Sequence, residues 1–223
     1  MTVLTHLLAP LNTALFTIGN GHVTVAELLG FVTGAVAVGL TVLACISNFP
    51  VGIANSAFFL VLFASARLFA DSGLQVVYIA LGFVGWWQWL HGGSERTRLG
   101  VARSGWQLLA GCVIFTVLAT WGLYVLLSDV KDIAPFWDAL TTALSLAAQF
   151  LLNCKRIENW AFWIAADLIY IPLYVVKRLD LTAIVYVMFL AMCGAGVAAW
   201  RRALRSRGAV ERAAEPAVAG SAA

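Results

Sequence analysis

Apolar residues run in long blocks along this chain, separated by short polar breaks, with no sustained two-residue alternation. Seven apolar runs lie between the charged residues, at roughly 25–45, 51–68, 73–90, 106–127, 134–153, 159–176 and 182–200. A hydrocarbon core about 30 Å thick takes roughly 20 helical residues to cross. Each run therefore predicts a transmembrane helix. Barrel strands would read as alternating segments of about ten residues, and that pattern is missing. Asn48, Phe49 and Pro50 interrupt the start of the second run. Proline is tolerated in a first helical turn, where its missing N–H would have no partner anyway.

Composition narrows the class. Of 223 residues, 62% are hydrophobic and 11% charged, against about 25% charged in a soluble domain. That balance excludes an ordinary cytosolic enzyme, and it is the reverse of the bias that produces disorder. Seven spans occupy about 140 residues, which leaves no room for a sizeable soluble domain. The net charge of +3 is small and its basic residues sit in loops and the tail, so nucleic acid is not an expected partner. Cys45, Cys112, Cys154 and Cys193 lie in or beside apolar segments without zinc-site spacing and read as free thiols. No basic segment precedes the first apolar stretch, which argues against a cleavable signal peptide.

Orientation follows from Lys and Arg. With the C-terminus inside, ten basic residues (Arg96, Arg98, Arg103, Lys155, Arg156, Arg201, Arg202, Arg205, Arg207, Arg212) face the cytoplasm and four (Arg67, Lys131, Lys177, Arg178) face outward. The positive-inside rule then predicts the N-terminus outside and the C-terminus inside. The expected layout is an extracellular segment at 1–24, a membrane domain at 25–200, and a basic cytoplasmic tail at 201–223 whose composition predicts disorder.

The chain also aligns with itself at an offset of 111 residues. Glu27 falls on Asp138, Asn48 on Asn159, Phe49 on Trp160, Ile53-Ala54 on Ile164-Ala165, Arg67-Leu68 on Arg178-Leu179, Gly85 on Gly196 and Trp89 on Trp200. Matches at rare residue types are informative where leucine matches are not. The predicted fold is all-α and polytopic: seven transmembrane helices in a 3+1+3 parallel pseudo-repeat, with units at 25–90 and 134–200 and a linker helix at 106–127. Equivalent helices lie four spans apart, so both units run the same way, as in transporters whose substrate site lies between parallel repeats.

Polar groups inside spans are costly and usually face the protein interior. Trp160, Trp163, Asp167, Tyr170 and Tyr174 recur at helical spacing along the sixth run. Asp138, Thr142, Ser145, Gln149 and Asn153 do so along the fifth, Gln75, Tyr78, Gly82, Trp86 and Trp89 along the third, and Asn48, Gly52 and Asn55 along the second. Aromatic faces with amides and one carboxylate suit a small flat ligand, above all a cationic ring. Competing readings stand beside this one. Trp86, Trp87, Trp89 and Trp160 near span ends fit an interfacial belt, Thr142 and Ser145 can bond their own backbone, and Gly30 and Gly34 form a helix-packing step. Chemistry is thin: His91 and Glu95 lack a third metal ligand, no phosphate-binding P-loop occurs, and the GNG at 19–21 lacks a strand–helix context. Neither an enzyme nor a cofactor or metal site is expected.

The motifs SNFPVGIAN at 47–55, GWWQW at 85–89, PFWDAL at 135–140 and ENWAFWIAADLIYIPLY at 158–174 resemble those of the PnuC family of vitamin transporters, over roughly residues 25–200. The resemblance implies facilitated diffusion of nicotinamide riboside across a bacterial inner membrane, with trapping by a separate kinase, in a homotrimer. It implies a site that includes Asn48, Asn55, Trp86, Trp89, Trp160 and Trp163, to which the polar stripes add Gln149, Asp167 and Tyr170. The chain departs from some members at Asp167, where they have Asn. Relatives that carry thiamine or riboflavin leave those vitamins as alternatives, and a substrate-free membrane scaffold is the alternative of another class.

Overall fold

A computed structural model of the protein describes residues 14–18, 21–65, 69–129, 134–176 and 180–219. The four basic residues assigned to the outside, Arg67, Lys131, Lys177 and Arg178, lie outside these described residues, as do residues 1–13 of the N-terminal segment. Seven α-helices are described: α1 (Val25–Val42), α2 (Asn48–Ser65), α3 (Phe69–His91), α4 (Trp106–Asp129), α5 (Pro135–Asn153), α6 (Asn159–Val176) and α7 (Asp180–Ala219). Each matches one of the apolar runs. Proline sits where a helix tolerates it at Pro50 and at Pro135, the first residue of α5.

Two features differ from the sequence expectation. A short antiparallel hairpin, β1 (Ala14–Ile18) with β2 (Gly21–Thr24), which the sequence pattern does not predict, precedes α1 and the all-helical membrane domain. Gly19 and Asn20 of the GNG lie outside the described residues. The tail, expected to be disordered from residue 201, instead continues α7 to Ala219. Its Ala, Arg and Glu residues are good helix formers, so a helix already under way propagates through them.

The helices pack in two matching triplets. α2 lies against α1 and α3, α6 lies against α5 and α7, and the triplets join through α1 with α7 and α3 with α5. α4 packs on α5 and turns Val113, Phe115, Val117, Leu118, Trp121 and Leu126 outward. Trp106–Ser128, Asn159–Val176 and Leu181–Ala209 are each long and apolar enough to cross a bilayer, and Leu28–Val42 and Asn48–Ala64 are shorter apolar helices. Outward apolar faces on such helices are what lipid or another apolar surface covers.

Residues 111 apart repeat one another in detail. The Asn48 side-chain amide donates to Cys45 O at 2.7 Å and that of Asn159 to Arg156 O at 2.6 Å. Ala44 and Lys155 both take a left-handed backbone, with φ of 50° and 52°. Their amides donate back to Thr41 O at 2.9 Å and Leu152 O at 2.8 Å. Phe49 meets Trp89 edge-on at 5.0 Å, and Trp160 meets Trp200 edge-on at 5.6 Å. The Trp89 indole donates to Leu152 O at 3.0 Å, and the Trp200 indole to Thr41 O at 3.1 Å. Gly85 and Gly196 provide the room: a Cβ at Gly85 would run into Phe49 and Asn153, and one at Gly196 into the Trp160 ring.

Candidate functional site

The rings form a packed layer at one end of the bundle. Phe49, Trp89, Trp160, Cys193 and Trp200 are buried together, with Trp86 and Trp163 half-buried against them. Trp89 and Trp160 retain 2% and 1% exposure, so neither offers a free face to a ligand. Each is gripped as a packing residue. The Trp160 indole N–H nevertheless lacks an acceptor, unlike those of Trp89 and Trp200. Asn48 caps the start of α2 through Cys45 O. Asn55 ties α2 to α1, donating to Gly30 O at 3.0 Å and Thr33 Oγ1 at 2.6 Å.

Deeper in the bundle lies a second, polar set. The Asn153 side chain donates to Leu81 O at 2.8 Å and accepts from Gln149 at 3.0 Å, clamping α5 to α3. One and two turns along α5 from Gln149 come Ser145 and Thr141, both buried. Tyr170 of α6 interacts through its hydroxyl with Thr141 and Ser145, and Tyr78 of α3 also reaches Ser145. Tyr170 stacks on Tyr174 at 5.5 Å, and both approach Tyr186 of α7, at 4.6 and 5.2 Å. Between this cluster and the tryptophan layer sits Asp167. It is 3% exposed, and Cys193 offers its thiol at 3.5 Å. No basic side chain accompanies that carboxylate among the described residues.

Of the residues singled out from the sequence, Gln149, Asp167 and Tyr170 thus fall in the polar interior. Trp86 and Trp163 border the tryptophan layer, while Asn48, Asn55, Trp89 and Trp160 are committed to neighbouring backbone or rings. Sequence periodicity missed Tyr186, Cys193 and Thr141. It placed Thr142 on the stripe, whereas Thr141 is the fully buried neighbour of Tyr170. A tyrosine and a cysteine seven residues apart on one apolar run were the available signal for α7.

The polar interior draws mainly on the second triplet. At the offset of 111, Tyr170, Tyr174 and Thr141 correspond to Phe59, Phe63 and Gly30. Phe59 and Phe63 stack at 5.5 Å as their tyrosine counterparts do, and a Cβ on Gly30 would collide with the Phe59 ring. Asp167, Ser145 and Cys193 correspond to Ser56, Gly34 and Gly82. The stacked ring pair recurs in both triplets, but the first has phenylalanines, glycines and one serine where the second has tyrosines, hydroxyls, a thiol and a carboxylate.

Long apolar helices, an interior carrying a buried carboxylate, and paired helix triplets define a multi-pass membrane protein of the transporter type. The chain belongs to the family described as Nicotinamide mononucleotide transporter, which it matches over residues 24–202. It is 26% identical over 208 residues to the nicotinamide riboside transporter PnuC of Escherichia coli (strain K12), covering 82% of this chain and 87% of that protein. It is 24% identical over 203 residues to the riboflavin/roseoflavin transporter RibM of Streptomyces davaonensis, covering 88% and 93%. The crystal structure of the vitamin B3 transporter PnuC superposes with a TM-score of 0.65 at 23% identity, covering 81% of this chain and 82% of that one.

Proposed function

We propose that this protein carries nicotinamide riboside into the cell by facilitated diffusion, with a separate kinase trapping the substrate inside. The observation that carries the substrate reading is Asp167, a carboxylate buried in a membrane-spanning helix with a thiol at 3.5 Å and no basic side chain beside it among the described residues. An ionised group there is costly unless a cation offsets it, and nicotinamide riboside brings a permanently charged pyridinium. Tyrosine rings stabilise such a ring through cation–π contact, and Gln149, Thr141 and Ser145 offer hydrogen bonds to ribose hydroxyls. In this reading Asp167, Tyr170, Gln149, Trp86 and Trp163 face the substrate. Asn48, Asn55, Trp89 and Trp160 hold the walls in place.

Topology and assembly belong to the same proposal. The two triplets are a parallel 3+1+3 repeat joined by α4. The N-terminus lies outside and the C-terminus inside a bacterial inner membrane, supported by the ten-to-four basic asymmetry. The outward apolar face of α4 suits contact between protomers of a homotrimer. The absence of a P-loop fits passive transport.

Uptake into liposomes containing only the purified protein tests these readings. Labelled nicotinamide riboside should equilibrate across the bilayer and stop, faster than riboflavin, thiamine or the nucleotide. Faster riboflavin uptake would favour the RibM-like alternative. Uptake of none of them would favour a scaffold. Accumulation above the outside level under a proton or sodium gradient would refute passive transport.

A further inference from the structure

Near the tryptophan-layer end of α7 lies a cleft of about 400 Å³ lined by Arg103, Arg201, Leu204 and Arg205. We propose that this cleft binds a phosphate group, carried either by an anionic lipid headgroup or by a soluble phosphate ester. Its three guanidinium groups come from two separate elements. Arg201 and Arg205 stand one turn apart on α7, so they share a face. Arg103 lies in the loop between α3 and α4.

That loop is held by its backbone, not by the Arg103 side chain. Ala102 exchanges hydrogen bonds with the α5–α6 turn, its amide donating to Lys155 O at 3.1 Å and its carbonyl accepting from Ile157 N at 3.0 Å. The Arg156 guanidinium donates to Arg103 O at 2.8 Å. Glu158, the acidic side chain joined to this loop, accepts from the Ser104 amide at 2.8 Å. No carboxylate pairs with Arg103, Arg201 or Arg205 among the described residues. Their charges therefore repel across the cleft, and an anion placed between them removes that repulsion while taking paired N–H donors from planar guanidiniums. A basic cleft at the charged end of a membrane-spanning helix is positioned to meet a phosphate at headgroup depth.

The repeat does not account for this cleft. At the offset of 111, Arg201 and Arg205 correspond to Leu90 and Ser94. The other triplet thus carries Trp89 where this one has Trp200 but lacks the arginines that follow it. The two α7 arginines of the cleft are therefore specific to one half.

The test uses the full chain in neutral detergent, as wild type, R103Q, R201Q/R205Q and the control R202Q. Arg202 is exposed and lies outside the cleft. R103Q keeps the carbonyl that Arg156 holds, so the loop remains anchored. Native mass spectrometry compares retention of phosphatidylglycerol with phosphatidylcholine, and thermal unfolding compares inorganic phosphate with chloride at equal ionic strength. If a lipid is the source, phosphatidylglycerol is retained preferentially, and the preference falls about tenfold in R103Q and in R201Q/R205Q but not in R202Q. If a soluble ester is the source, phosphate stabilises the wild type and R202Q but neither cleft variant. The proposal is overturned if neither probe is preferred, if the cleft variants keep the preference, or if R202Q loses as much of it as they do.

Discussion

Replacing Asp167 by Asn separates charge from shape at the centre of the bundle. The side chain is 3% exposed and meets one thiol, at 3.5 Å. Asn is nearly isosteric, and its amide oxygen still accepts from Cys193. In the empty protein the change removes a buried ionisable group that has no cationic partner, so the melting temperature should hold or rise by a few degrees. With a cationic ligand the sign reverses. Two unit charges about 4 Å apart attract by about 4 kcal/mol at an effective dielectric constant of about 20. A carboxylate that stays partly hydrated, or a ring slightly farther away, delivers a fraction of that, about 1.4–2.7 kcal/mol, or roughly a tenfold to hundredfold loss of affinity. Isothermal titration in detergent with nicotinamide riboside and with a neutral nucleoside of the same ribose measures both effects. The neutral ligand should lose less than about threefold, under ~0.7 kcal/mol. Equal losses for both ligands, with a fall in melting temperature, would show that Asp167 supports the fold and not the charge of the substrate. Unchanged affinity for both would place it away from the substrate.

Three further outcomes follow from the geometry. Gly196→Leu should drive a side chain into the Trp160 ring and lower the melting temperature by the equivalent of about 1–3 kcal/mol, whereas Gly111→Ala, where a Cβ meets nothing within 4 Å, should be neutral or stabilising; thermal unfolding of the two variants checks this. Burial, together with the neighbouring Arg98, pushes the Lys155 ammonium below the ordinary lysine range, yet it lies 4.0 Å from the centre of the Trp89 ring and donates to Leu99 O at 2.9 Å. Lys155→Ala should therefore loosen residues 97–105 by about 1–2 kcal/mol, seen as faster amide exchange there, and unchanged exchange would refute the tether. A single cysteine placed in the 92–104 loop should resist membrane-impermeant reagents added to intact cells, and ready labelling would reverse the topology.

Helices, their order and the 111-residue offset were legible in the sequence because a membrane span must satisfy its backbone internally and keep an apolar exterior. Those demands write themselves into run lengths and rare-residue spacing. The hairpin at 14–24 was not legible: its residues look like any other mixed segment, and pairing depends on a turn. The helical tail was misread because low hydrophobicity argued for disorder while the local propensity of Ala, Arg and Glu favours a helix joined to α7. At the site, periodicity assigns a residue to a face but does not say which helix that face meets. Asp167 and Tyr170 were therefore assigned to one face, whereas Tyr186 and Cys193, which meet them from α7, were not singled out. Trp89 and Trp160 read as ligand-stacking residues because a tryptophan in a span suggests a surface, yet both are buried, Trp160 in the space left by Gly196 and Trp89 against Phe49.

The crossed indole bonds have a consequence for how the chain is assembled. Trp89 closes on Leu152, 63 residues later, and Trp200 closes on Thr41, 159 residues earlier. Each unit thus leaves its last helix waiting for a carbonyl that the other unit supplies. The amino-terminal helices enter the membrane first, but the Thr41 carbonyl gains its indole donor only once residue 200 has been made. Insertion can proceed span by span, whereas closure is a single late event that depends on the seventh span. Two fragments cut in the 92–104 loop and produced together should find one another and restore the bundle, while either produced alone should remain open at its tryptophan end and be cleared by membrane proteases.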